Sequence, residues 1–219
     1  MTGSSPAPIS RSLFFFGIFY GGMCCIAGVL GNKQVALGPL AVEAGIFAFL
    51  LLVVVASATA ELYGRATANS LVRIGFVPLL ASLALSALVV ALPASAKMEP
   101  ARLEGFQTMM SATWRIWIGG LLAYGISQTL NVTIFDALRR GEGKLVWLRA
   151  GVASVLSQIV DTLIFVFVAF YGVFPIAGLL AGQMLAKVVL SIVLVPPLIV
   201  AFVALGKRLD RGAGTFERA

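Results

Sequence analysis

Long apolar runs at 13–30, 44–60, 74–92, 116–135, 150–172 and 175–205 constrain this chain more than any other feature. A bilayer core takes about 20 helical residues, with a usual range of about 17–25. Backbone groups in hydrocarbon must satisfy one another, so each run reads as a helix. The fold class is therefore all-α integral membrane, a six-transmembrane-helix bundle. The last run is the longest and contains Pro196 and Pro197. Losing two backbone donors there predicts a strong tilt or a break. The chain is 60% hydrophobic and 11% charged with a mean hydropathy of +1.01, well outside the balance of soluble domains. Every connection is too short to hold a soluble catalytic domain.

Lysine and arginine orient the bundle. Arg11, then Arg65 and Arg73, then Arg139, Arg140, Lys144 and Arg149, then Lys207, Arg208, Arg211 and Arg218 fall on one side, and Lys33, Lys97 and Arg102 on the other. The positive-inside rule then makes both termini cytoplasmic. Residues 1–12 read as a cytoplasmic tail, 13–205 as the transmembrane domain and 206–219 as a basic cytoplasmic tail. The net charge of +7 follows from this orientation and from contact with anionic headgroups. Membrane lipid is an expected partner and nucleic acid is not, since no folded basic soluble face exists.

The first run is longer than a signal-peptide core of about 7–15 residues and reads as a helix. Adjacent Cys24 and Cys25 do not readily bridge each other on a helix and read as packing residues. The chain has no histidine, which removes histidine proton relays, imidazole metal ligands and Ser-His or Cys-His catalysis. Neither a metal nor a cofactor is expected, and the intramembrane-enzyme reading finds no HExxH or paired catalytic aspartates. Between 93 and 113, Met98, Leu103, Phe106 and Met110 suit either a short interfacial helix or a mixed loop.

Ser-Gln-Thr-Leu-Asn at 127–131 and Ser-Gln-Ile-Val-Asp at 157–161 repeat one pattern inside two of the runs. Positions one, two and five share a helix face. Tyr124, Ser127, Gln128, Asn131 and Phe135 thus form one stripe, and Ser154, Ser157, Gln158, Asp161, Thr162 and Phe165 another. Serine and threonine in such stripes commonly bond between helices, worth about 0.6–2 kcal/mol each. Asp161 is different, because a charge at mid-bilayer costs at least about 2.5–3.5 kcal/mol and marks a binding or ion site. Lys187, with Gln183 and Ser191 on its face, is its expected partner, in a structural pair or in one that sets the acid's ionisation. Glu61 ends the second run, where it either snorkels to water or serves the site. Arg115 opens the fourth run as an interfacial anchor or a carbonyl donor. Asn32, Lys33 and Glu43 read as residues of a short outer hairpin. Asp161, Gln128, Gln158 and Lys187 could hold the polar edge of a small heterocycle, and Tyr124, Phe135 and Phe165 could stack on it. That inventory reaches no further than a transporter for a small polar solute.

Ala-Glu-Leu-Tyr-Gly at 60–64, Trp-Arg-x7-Ala-Tyr-x-x-Ser-Gln from Trp114, Leu-Arg at 138–139, Trp-Leu-Arg at 147–149 and Ser-Gln-x-x-Asp at 157–161 stand in a particular order. In that order the chain resembles the queuosine precursor transporters of the vitamin-uptake-transporter group, bacterial inner-membrane proteins, over 32–197. The resemblance implies six helices and multi-pass uptake of 7-deazaguanines such as 7-cyano-7-deazaguanine or queuine for tRNA modification. It implies a small-molecule substrate, no cofactor, and compatibility with a homo-oligomer. Family-like positions are Asn32, Lys33, Glu61, Tyr63, Gly64, Arg115, Tyr124, Ser127, Gln128, Arg149, Gln158, Asp161 and Lys187. Two positions depart: Ser57 and Asn131 stand where family members often carry acids. Glu61 and Asp161 are then the main remaining candidates for proton coupling. The alternatives are the membrane subunit of an ATP-driven importer, with partner ATPases, and a scaffold with no ligand.

Overall fold

The computed structural model describes residues 10–31, 33–38, 40–110, 114–138, 146–172 and 176–211. Along them run α1 (Arg11–Leu30), β1 (Gln34–Leu37), β2 (Leu40–Glu43), α2 (Gly45–Ala91), α3 (Pro100–Met110), α4 (Trp114–Ala137), α5 (Val146–Phe170) and α6 (Ala177–Arg211). All of these helices except α3 are long and apolar enough to cross a membrane, so the chain is a helical integral membrane protein.

The runs at 44–60 and 74–92 belong to one 47-residue element, because the segment between them is helical except at Gly64. Gly64 has φ 83° and ψ 168°, a conformation open essentially to glycine. Before it, Gly45 packs on Ala27 and Gly31 at the far end of α1, while Tyr63 bonds Ser10 and Ser12 at its start. Beyond it, Gly75 faces Tyr20, and the Cys25 thiol lies 3.5 Å from the Pro78 carbonyl. One arm of α2 therefore runs against α1 and the other along it, so the chain reverses at Gly64.

The first arm is the centre of the bundle. Its valine-rich stretch at 52–60 is buried on every side, as a helix apolar all round requires. On α5 small and polar residues face the bundle and large apolar residues the outside. α5 buries Ala150, Ala153, Ser154, Ser157, Asp161 and Thr162, and exposes Trp147, Leu148, Leu156 and Phe167. Without a hydrophobic drive between helices in lipid, close approach and hydrogen bonds hold such faces together.

The expected break in the last helix does not occur, and α6 passes through Pro196 and Pro197 as one helix. Neighbouring helices can compensate such prolines in a membrane. Here Pro196 sits against Gly151 of α5, where an added Cβ would lie 3.6 Å from the proline ring. The interfacial segment does form a helix, α3, with Pro100 at its first position.

Two ends follow from this arrangement. At the terminal end, Asp210 of α6 accepts from the Ser12 backbone N–H at 3.0 Å, from the Ser12 hydroxyl at 2.8 Å and from the Tyr63 hydroxyl at 2.5 Å. At the hairpin end, β1 and β2 pair antiparallel with Gln34 opposite Glu43, and Gly38 turns the chain at φ 61°. A further bond, Ala44 N–H to the Lys33 carbonyl at 2.8 Å, carries the ladder to the start of α2.

Candidate functional site

Every helix contributes to one cavity of about 390 Å³ in the hairpin-end half, within the range of about 300–1,000 Å³ usual for small-ligand sites. Its polar lining includes Glu43, Tyr124, Asp161, Gln183 and Lys187, and its apolar walls include Phe49, Leu79, Leu83 and Phe165. Met109 and Met110 of α3 border it as well.

Asp161 and Lys187 are the expected pair. Lys187 Nζ lies 2.8 Å from Asp161 Oδ2, with the two side chains 12% and 5% exposed. The other carboxylate oxygen accepts from the Ser127 hydroxyl at 3.0 Å. Both oxygens of Asp161 are thus occupied within the protein. Ser127 supports the site through Asp161 and is not among the lining residues.

Tyr124 forms a wall. Its hydroxyl donates to the Val72 carbonyl at 2.9 Å and lies 3.1 Å from the Tyr20 hydroxyl, while its ring meets Phe76 edge-on at 4.8 Å. Phe165 lines the cavity and meets Phe170 edge-on. Phe135 is removed from it: the ring is fully buried, with the Arg149 guanidinium 5.0 Å above its centroid. Arg115 belongs to α4, but its side chain lies outside the described residues, as does Asn32.

Gln128, Gln158 and Asn131 do not line the cavity; they lie three to seven residues further toward the terminal end than Tyr124 and Asp161, which do. All are buried, and the side-chain oxygens of these three, with the Ser154 hydroxyl, have no hydrogen-bond partner among the described residues. Leaving such groups unpaired costs about 1–3 kcal/mol each. Asn131 Nδ2 donates to Ser57 Oγ at 3.0 Å, so the two positions that depart from the resembled pattern touch each other. Two acids in contact there would share a proton, whereas an amide and a hydroxyl hold the same place without titrating.

Past this belt, Glu61 Oε2 and Arg149 Nη2 form an ion pair at 2.8 Å. Arg149 is 6% exposed, and its Nε and Nη1 have no hydrogen-bond partner among the described residues. The sequence places Arg149 among the orienting cations and the family-like positions without pairing it to Glu61, and it places Glu43 in a short outer hairpin away from the site. The shared Trp-Leu-Arg motif was a signal for the first; nothing in the local pattern marked the second.

The family model described as "Putative vitamin uptake transporter" matches residues 43–201. A protein of Bacillus subtilis (strain 168) named "Probable queuosine precursor transporter" is 38% identical over 118 residues, covering 52% of this chain and 50% of that one. The matched stretch thus spans half the length of that relative. No solved structure matches the chain.

Proposed function

We propose, because this chain belongs to the vitamin uptake transporter family, that it takes up a small polar heterocycle of the queuosine-precursor type, a 7-deazaguanine such as 7-cyano-7-deazaguanine or queuine. One observation carries the reading: a charged Asp161–Lys187 pair faces a cavity of ligand size amid helices that are otherwise apolar. Ionisable groups at membrane depth mark substrate pathways. The cavity binds the solute from the hairpin end. The amide oxygens of Gln128, Gln158 and Asn131, without a partner among the described residues, continue the polar route, and the Glu61–Arg149 pair closes it at the terminal end.

In this reading α2 crosses twice, once on each side of Gly64, which makes six crossings with both termini cytoplasmic. Labels at residues 3 and 215 then react only from the cytoplasm, and a label at residue 97 reacts only from outside. Protonation of Glu61 breaks its pair with Arg149, which couples opening of the terminal end to a proton.

The deciding experiment is uptake of a labelled 7-deazaguanine into liposomes that contain only this chain. Accumulation supports a self-sufficient transporter. Binding without uptake in the same liposomes points instead to a membrane subunit that needs partner ATPases. Thermal stabilisation by a panel of purines, deazapurines and vitamins identifies the solute, since a ligand at 100 times its Kd adds about 2.7 kcal/mol.

A further inference from the structure

We propose that Glu43, carried by the β-hairpin and not by a membrane helix, is the carboxylate on which the ligand's paired N–H donors dock. The inference rests on the uptake reading above and names the group that selects the solute. Three observations carry it. First, Asp161 is already committed, with one oxygen to Ser127 and the other to Lys187. Second, Glu43 lines the same cavity, and among the described residues its carboxylate has only a long contact, 3.5 Å from Gln183 Nε2 to Oε1. An ionised carboxylate offers about four lone-pair sites and accepts forked donors well, so most of its capacity faces the cavity unused. Third, the hairpin register holds Glu43 opposite Gln34, the next backbone bond holds Ala44 to Lys33, and Gly45 seats on Ala27 and Gly31. The side chain is therefore presented from a fixed base.

The surrounding chemistry complements it. Lys187 and Gln183 are donors beside an acceptor, an arrangement that fits a flat ring bearing two adjacent N–H groups and a neighbouring carbonyl. Facing Glu43 from the other elements are Lys187 and Gln183 of α6, Asp161 of α5, Tyr124 of α4, and Cys24 and Cys25 of α1. Burial pushes the Glu43 carboxyl above its ordinary range, and Asp161 adds to that, while Lys187 and Gln183 oppose it. A ligand that donates two N–H groups stabilises the ionised form, so affinity falls as pH falls through the titration of Glu43.

The test is equilibrium binding to the purified full chain of 7-deazaguanine and of 7-deazahypoxanthine, which lacks the exocyclic amine. Wild type should prefer the amine-bearing ligand and bind it more weakly at low pH. Glu43→Gln should weaken 7-deazaguanine by about 30-fold, in line with hydrogen bonds to a charged acceptor, and 7-deazahypoxanthine much less, with the pH dependence flattened. Should Glu43→Gln fail to accumulate, Glu43→Asp serves, and it should keep a reduced preference for the amine. Equal losses for both ligands, or no loss, overturn the assignment of Glu43 while leaving the uptake reading intact. A wild-type protein that binds neither ligand overturns both.

Discussion

At the hairpin end, Asp161, Lys187 and Glu43 border a cavity that every helix lines; at the terminal end, Glu61 pairs with Arg149, and Asp210 is bonded by Tyr63 and Ser12. The same residue types thus serve opposite ends. A pair beside a cavity can exchange its partner for a solute, because the incoming group replaces hydrogen bonds as they are given up. The Glu61–Arg149 pair, its guanidinium over the Phe135 ring, does not line that cavity and joins α2 to α5. Removing one member of a buried pair leaves the other charge unpaired, at about 3–5 kcal/mol, so either end is sensitive to mutation. The distinction lies in which property is lost.

Asp161→Asn gives the largest expected effect. It should abolish uptake while the protein still inserts, since Lys187 loses its counter-charge and a single amide oxygen is left for both Lys187 and Ser127. Transport at the wild-type rate would show that the cavity pair is structural and would erase the contrast between the ends.

Glu61→Gln probes the other side. Equilibrium binding should stay within about threefold of wild type, while accumulation in vesicles under an imposed pH gradient should vanish, because the charge that must be neutralised during crossing is gone. Gradient-driven accumulation equal to wild type, or a wild type indifferent to the gradient, removes Glu61 from the coupling step.

Tyr63→Phe should then separate stability from function. It deletes the hydroxyl shared by Ser12 and Asp210 and should lower thermal stability in detergent by about 1–3 kcal/mol, with ligand affinity unchanged. A loss of affinity without loss of stability would show that the terminal end reaches the binding site.

The smallest effect is expected for Gln158→Ala. Gln158 lies three residues before the cavity-lining Asp161, and its amide oxygen has no donor among the described residues, so affinity should fall far less than in Asp161→Asn. A loss as severe would move the ligand deeper into the polar belt.

What could be read beforehand follows the same division. Helices, their apolar character and the Asp161–Lys187 pair were legible, because a charge inside hydrocarbon has few ways to be satisfied. The helix faces at 127–131 and 157–161 were legible too, but not how far the cavity extends along them. Tyr124, Asp161 and Phe165 reach it, whereas Gln128, Gln158 and Asn131 lie below it. Periodicity fixes the direction of a side chain around a helix and says nothing of where along the axis neighbouring helices part. Glu43 was hidden for another reason. Its strand is four residues long, and a carboxylate beside a turn is ordinarily bathed in water. Only the seating of Gly45 on α1 brings it over the cavity.

The contact between Ser12 and Asp210 joins residues 198 positions apart. It forms only after α6 has left the ribosome, whereas Tyr63 can hold Ser10 and Ser12 as soon as the first arm of α2 is in place. The same polar start is thus clasped twice, first by the neighbouring helix and last by the end of α6. A truncation that removes the end of α6 would undo the second clasp and leave the first.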